Sequence, residues 1–143
     1  MWLVIALVLA LVWRRPLVFV QVALADVIAN LLATALKDAT DRARPSAVWT
    51  EPKPLVHAPG TGSFPSGHAA TSFACATTLT FFAPRYAPAF YVLAVAIAWS
   101  RVYNGVHFPL DVLGGAALGV LVAIALRWLV GALQRSRQAM PAG

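Results

Sequence analysis

Between Pro16 and Leu36 the chain carries one charged residue, Asp26, and between Leu113 and Leu126 it carries none. Apolar runs this long are the strongest constraint on the fold. Residues 16–37 and 110–133 are each long enough, as helices rising about 1.5 Å per residue, to cross the ~30 Å hydrocarbon layer of a bilayer. Three further apolar segments cover 1–13, 67–83 and 87–103. The two central ones are slightly short and would span only with snorkelling side chains at their ends. The first reaches about 20 Å, so either the true start lies upstream or this helix is partial and shielded by its neighbours. Hydrophobic residues make up 60% of the 143, more than a soluble domain of this size could bury. The expected architecture is an all-α polytopic transmembrane bundle of about five helices, four full spans plus a short N-terminal one, in a single membrane-embedded domain over 1–143.

The net charge of +6 reads in such a chain as topology signal first and as phosphate ligand second. No basic stripe alternates with aromatics, which argues against a nucleic-acid partner. The lone cysteine, Cys75, excludes an intrachain disulfide and sits in an apolar run where a packing role is expected. The opening MWLVIALVLALVWRR has no basic region before its apolar core and no small-residue cleavage site, so a cleaved signal peptide is not expected.

Folding the five segments up and down sorts the connections onto two faces. One holds Arg14, Arg15, Arg85, Arg127, Arg135 and Arg137 and no acid. The other holds Lys37, Arg42, Arg44, Lys53 and Arg101 together with Asp38, Asp41, Glu51 and Asp111. Six cations against five decide little by count. The first set has no evident use except orientation, which places the N-terminus outside, the C-terminus in the cytoplasm and the second face on the extracytoplasmic side of a cell (inner) membrane.

That second face gathers three polar clusters from distant parts of the chain. The end of the second segment reads KDATDRARP, the third begins after GTGSFPSGH, and SRVYNGVHFPLD joins the fourth to the fifth. In the middle cluster, Ser66 and Gly67 precede a helix whose first N–H groups lack partners and carry partial positive charge. An anion would bind there, with Gly67 allowing close approach and the Ser66 hydroxyl donating. A plain Ser66 N-cap is the simpler alternative. Lys37, Arg44 and Arg101 would bind phosphate oxygens; otherwise Lys37 and Arg101 snorkel and Arg44 is a solvated loop charge. His107 and Asp111 stand four apart, so a helical turn would let the carboxylate fix the imidazole tautomer and leave the other nitrogen free to attack. The alternative is an aspartate at a helix start beside an interfacial histidine. His68 lies in the first turn beside the anion site and could protonate a leaving oxygen. His57 is assigned no role. Zinc is disfavoured, because the histidine spacing fits no usual ligand pattern and the arginines would repel a cation.

Taken together these clusters resemble the signature of the type 2 phosphatidic acid phosphatases, lipid phosphatases related to vanadium haloperoxidases. The K-x6-RP element is matched by Lys37 through Arg44-Pro45, PSGH by Pro65-Ser66-Gly67-His68, and SR-x5-H-x3-D by Ser100-Arg101 through His107 to Asp111. The resemblance covers about residues 30–130. It implies a metal-independent, cofactor-free phosphatase working through a phosphohistidine: His107 as nucleophile oriented by Asp111; Lys37, Arg44, Ser66, Gly67 and Arg101 holding the phosphoryl oxygens; His68 protonating the leaving group. Membrane members of the family usually have six helices, one more than is counted here. The implied substrate is a lipid phosphate or diphosphate, namely polyprenyl diphosphate, phosphatidic acid, phosphatidylglycerophosphate or a polyprenyl-phosphate sugar. A non-catalytic lipid-phosphate binder or transporter with the same basic pocket is the competing class, which would have no need of a His107–Asp111 pair.

Two other features carry expectations. Asp26 shares a helical face with Asn30 and Lys37 and is expected to hydrogen-bond inside the bundle rather than tune Lys37, about 16 Å away along the axis. Gly114, Gly115 and Gly119 form a small-residue pattern expected to serve close helix packing, with a homo-oligomer through the same face as the alternative. The loop from Ser46 to Phe64, with Trp49, is expected along the interface, where it would shape head-group access.

Overall fold

The computed structural model describes residues 1–49, 54–57 and 60–139. Glu51 and Lys53, the Arg137 side chain and the tail from residue 140 lie outside them. Six helices follow in order: α1 (Trp2–Val12), α2 (Pro16–Thr40), α3 (Pro45–Val48), α4 (Gly67–Phe82), α5 (Ala87–Tyr103) and α6 (Pro109–Ala139), with a single 3-10 turn at Pro84–Tyr86. Five are substantial and α3 has only four residues. No strand occurs among the described residues.

Local chemistry sets the boundaries. Pro16 and Pro109 occupy first helical positions, where a missing N–H leaves no bond unmade. α2 ends at Asp41, whose left-handed backbone (φ 41°) turns the chain while its N–H bonds to Lys37 O at 3.0 Å. Pro84 closes α4 and sets up the turn into α5.

α4 is the central helix and packs against α1, α2, α5 and α6. Its buried residues are small: Ala69, Ala70, Ser72, Ala74, Cys75, Ala76, Thr77 and Thr78, with Leu79 the largest. The outward faces are large and aliphatic or aromatic, with Val92 70% and Trp128 69% exposed. This distribution, small inside and bulky outside, suits lipid. In water the same surface would drive aggregation, whereas in a bilayer backbones approach through small residues and the bulky ones meet acyl chains. Trp2 of α1 reaches in to donate from Nε1 to Ser72 Oγ at 3.1 Å. That bond fastens the short first helix to α4.

The spans differ from expectation. α2 and α6 are clearly long and apolar enough to cross a membrane, with mean hydropathy 2.0 and 2.2 over their best windows. α4 and α5 have 16 and 17 residues, or about 24 and 26 Å, because the PSGH turn and the Pro84 turn cut them. Among the described residues, two helices are therefore clear full spans by length and composition.

The glycine face is filled within the chain. A Cβ on Gly115 would overlap Ser66 O and one on Gly119 would overlap Ala70 O, while Gly114 lies under the Phe64 ring. Gly115 and Gly119 thus serve α4–α6 contact rather than a surface for a second copy. Asp26 accepts from Cys75 Sγ at 3.7 Å, so this carboxylate does bond inside the bundle.

Candidate active site

At one end of the bundle the last turn of α2, the residues before α4 and the α5–α6 connection meet. Backbone bonds join them first. Ser63 N–H donates to Arg42 O at 2.8 Å, and Ser66 N–H to Asp111 O at 2.8 Å. Thr40 Oγ1 donates to Phe64 O at 2.9 Å and Ser63 Oγ to Ala43 O at 3.1 Å. The three segments are therefore laced together before any charged group is considered.

Arg44, read from sequence either as a phosphate ligand or as a solvated charge, is 6% exposed. Its guanidinium donates through Nε to Thr61 O (2.9 Å), Nη1 to Val106 O (2.9 Å), and Nη2 to Thr61 Oγ1 and Gly62 O (both 3.3 Å). The remaining Nη1 direction faces His107 Nε2 at 3.4 Å. Arg44 is thus a framework group that presents one N–H direction to His107 Nε2. It is not a solvated charge.

His107 and Asp111 do pair: Nδ1 lies 3.5 Å from Asp111 Oδ2, an ion-pair distance slightly beyond a good hydrogen bond. Nδ1 is buried and has no closer partner. Asp111 Oδ2 also accepts from Phe108 N–H at 2.8 Å. Phe108 directly precedes α6 and Asp111 is its third residue, so the carboxylate reaches back to the capping N–H as in a capping box. The two sequence readings of Asp111, helix-start acid and histidine partner, hold together on one oxygen.

Burial, and next the Arg44 charge, push the His107 imidazole down to about 4; Asp111 pulls the other way and Lys37 reinforces the drop. The ring is therefore neutral at neutral pH. An Arg44 N–H directed at Nε2 favours the tautomer with its proton on Nδ1, the nitrogen that faces Asp111.

The other residues surround this pair. Ser66 is the residue before α4, yet its hydroxyl makes no cap bond; it is fully buried and unpartnered. Ser66 is the N-cap residue by position, but its hydroxyl does not serve as the cap. Lys37 Nζ lies 3.5 Å and Asn30 Oδ1 4.0 Å from where a Gly67 Cβ would stand, so Gly67 keeps that approach open. His68, exposed at the start of α4, is in electrostatic reach of Arg101 and Lys37. Ser100 Oγ accepts from Arg101 Nε (3.1 Å) and Nη2 (2.9 Å), which fixes the guanidinium. His57 is exposed in the loop.

The loop also closes on the site. Leu55 N–H donates to Asn104 O at 3.1 Å, and Trp49 meets Phe108 edge-on at 5.4 Å. Trp49, Tyr103, Phe108 and His107 line a cleft of about 270 Å³. A larger cavity, about 450 Å³ between Trp13, Arg15 and Arg85, is at the opposite end of the bundle and touches none of these groups.

Sequence reasoning missed three contributors: Ser100 as the brace for Arg101, Thr61 as the double acceptor for Arg44, and Arg42. Arg42 Nη1 donates to Asp111 Oδ1 at 2.8 Å. Its place two residues before Arg44 in DRARP was visible, but its partner lies 69 positions away.

A family model described as the PAP2 superfamily matches residues 17–135. The chain belongs to this superfamily. Among curated relatives, the PAP2 chain is 31% identical over 115 residues to "Bacitracin transport permease protein BcrC" of Bacillus licheniformis, covering 80% of this chain and 57% of that protein. Among solved structures it is similar to that of Aquifex aeolicus LpxE, with TM-score 0.73, 31% identity and coverage of 84% of this chain and 72% of that one. A transmembrane PAP2-type phosphatidylglycerolphosphate phosphatase from Bacillus subtilis superposes with TM-score 0.66 at 29% identity, over 91% of this chain and 67% of that one. The PAP2 signature positions named from sequence are the residues gathered at this end of the bundle, in the setting of an integral membrane fold.

Proposed function

We propose that this PAP2 protein is a membrane lipid phosphatase that cleaves a phosphomonoester or diphosphate from a lipid through a phosphohistidine. The observation that carries the reading is the neutral, buried His107 held between Arg44 Nη1 and Asp111 Oδ2. A protein that only bound or carried lipid phosphate would need the cations but not this pair. The transport name of one relative keeps that second reading in view.

In the proposed reaction the Nε2 lone pair of His107 attacks phosphorus while the bond to the leaving oxygen breaks. His68 gives that oxygen its proton. Asp111 stabilises the positive imidazolium that forms. Lys37, Arg101, the Ser66 hydroxyl and the Gly67 N–H, with Arg44 behind them, neutralise the equatorial oxygens, where the transition-state charge lies. Water then attacks phosphorus, His68 takes a proton from it, and the P–N bond breaks to release phosphate and restore neutral His107. The substrate's chain stays in lipid while its head meets the cage. Polyprenyl diphosphate, phosphatidic acid, phosphatidylglycerophosphate and polyprenyl-phosphate sugars all meet these requirements. The structure solved for a phosphatidylglycerolphosphate phosphatase favours the third. The site faces the extracytoplasmic side, because Arg14, Arg15, Arg85 and Arg135 mark the other end.

The test is phosphate release from a panel of those lipids in detergent. His107→Ala should abolish release with the fold intact, and chelator should leave the wild type unaffected. Turnover retained in that variant would reject the mechanism. For orientation, an impermeant thiol reagent should label a cysteine placed near Pro54, not one near the C-terminus, from outside the cell.

A further inference from the structure

Asp111 is fully buried, and a buried carboxylate needs more than one bond to stay ionised and aimed. Its two oxygens are divided. Oδ2 faces His107 Nδ1 and accepts from Phe108 N–H. Oδ1 is taken at 2.8 Å by Arg42, whose side chain is 37% exposed. The Arg42 guanidinium also lies over the Phe108 ring, 4.8 Å from its centroid, and Trp49 meets that ring edge-on. The Arg42 carbonyl receives Ser63 N–H. Arg42 is therefore fixed at its backbone, along its face and at Nη1.

We propose that Arg42 is a positioning residue for the nucleophile, acting through Asp111. The assignment rests on the reading of His107 as nucleophile. Arg42 locks Oδ1, which sets the carboxylate plane and leaves Oδ2 as the oxygen presented to His107. Loss of Arg42 would free the carboxylate to rotate. His107 would then lose the acceptor that holds its proton on Nδ1, and part of the population would carry it on Nε2, where attack is impossible. Arginine suits the post because its flat face stacks on Phe108 while an edge nitrogen meets the carboxylate. Lysine could supply the charge but not the stack.

The test uses the full-length chain in detergent, with Arg42→Gln, Arg42→Lys, Asp111→Asn and the Arg42→Gln/Asp111→Asn double variant. Arg42→Gln should lower kcat about 10- to 100-fold, by analogy with the loss seen when the outer partner of a metal-ligating histidine is removed, with KM within about twofold. Arg42→Lys should recover much of the loss. Adding Arg42→Gln to Asp111→Asn should cost little more, since both break one connection. Independently of turnover, 15N NMR of histidine-labelled protein, assigned with His107→Ala, should show protonation at Nδ1 in the wild type and mixed tautomers in Arg42→Gln. Additive losses, or a rise in KM with kcat intact, would overturn the proposal, the latter by making Arg42 a substrate contact. So would a lowered melting temperature with normal kcat and an unchanged tautomer. Should His107→Ala keep its activity, the nucleophile reading falls, and the NMR comparison still decides whether Arg42 sets the ring.

Discussion

Replacing Gly119 by alanine should loosen the α4–α6 contact and reach the site from several turns away. A Cβ there would overlap Ala70 O and stand 2.8 Å from Ala74 N and 3.1 Å from Ala70 C. All three are helix backbone atoms, which cannot rotate aside, so α6 must move off α4 by roughly 1 Å to restore ordinary packing. Overpacking of this kind costs about 1–3 kcal/mol, offset by up to ~1 kcal/mol from the better helix propensity of alanine. The net expectation is a loss of about 1–2 kcal/mol. α4 carries Gly67 and His68, and α6 carries Asp111 about 12 Å along its axis from Gly119. A 1 Å displacement between them can lower turnover by ~100-fold. The control is Gly131→Ala, where only the flexible Arg135 Nη1 lies near, at 3.5 Å; propensity alone should leave it as stable as wild type or slightly more so. Thermal unfolding in detergent and phosphate release would be measured on both variants. If Gly119→Ala melts at or above the wild type with full activity, the close-packing argument is wrong.

Two further predictions concern the site itself. Ser66→Ala removes a buried hydroxyl with no partner, so the melting temperature should hold or rise, while phosphate release falls by ~10² or more because an oxyanion donor is gone; equal loss of both would mean that Ser66 is structural. His107, driven down to about 4 by burial and by Arg44, binds fewer protons folded than unfolded between about 4 and its ordinary value of ~6.5. Its contribution to stability is therefore full above that window and is lost as pH falls through it. The acid limb of kcat/KM assigned to this ring should lie near pH 4, and should move upward in Lys37→Met, which removes one of the cations holding the pKa down; a limb at 6.5 that ignores Lys37 would contradict the electrostatic reading.

Much of the site was legible because motif spacing and apolar spacing are both local. Lys37, Ser66, Gly67, His68, Arg101, His107 and Asp111 could be placed at one membrane face by marking where each hydrophobic run stops. What failed were statements about partners. Ser66 before a helix reads as an N-cap or as an anion donor, and its buried hydroxyl makes no cap bond. Arg44 reads as a free cation, yet Thr61, Gly62 and Val106 surround it with acceptors from two other connections. Four full spans were expected; α4 and α5 have the short lengths read from sequence, and α2 and α6 are the clear spans.

The sequence by itself determined that the chain is an α-helical membrane protein with a cationic, histidine-bearing face. Hydrophobic run length and the 3.6-residue period act on neighbours in the chain and need no tertiary information. Only the tertiary structure decided that Arg42 holds Asp111 across 69 positions, and that Gly115 and Gly119 of α6 are packed against α4. Those outcomes depend on how three helices tilt and how one loop folds back between them, and no spacing rule encodes that.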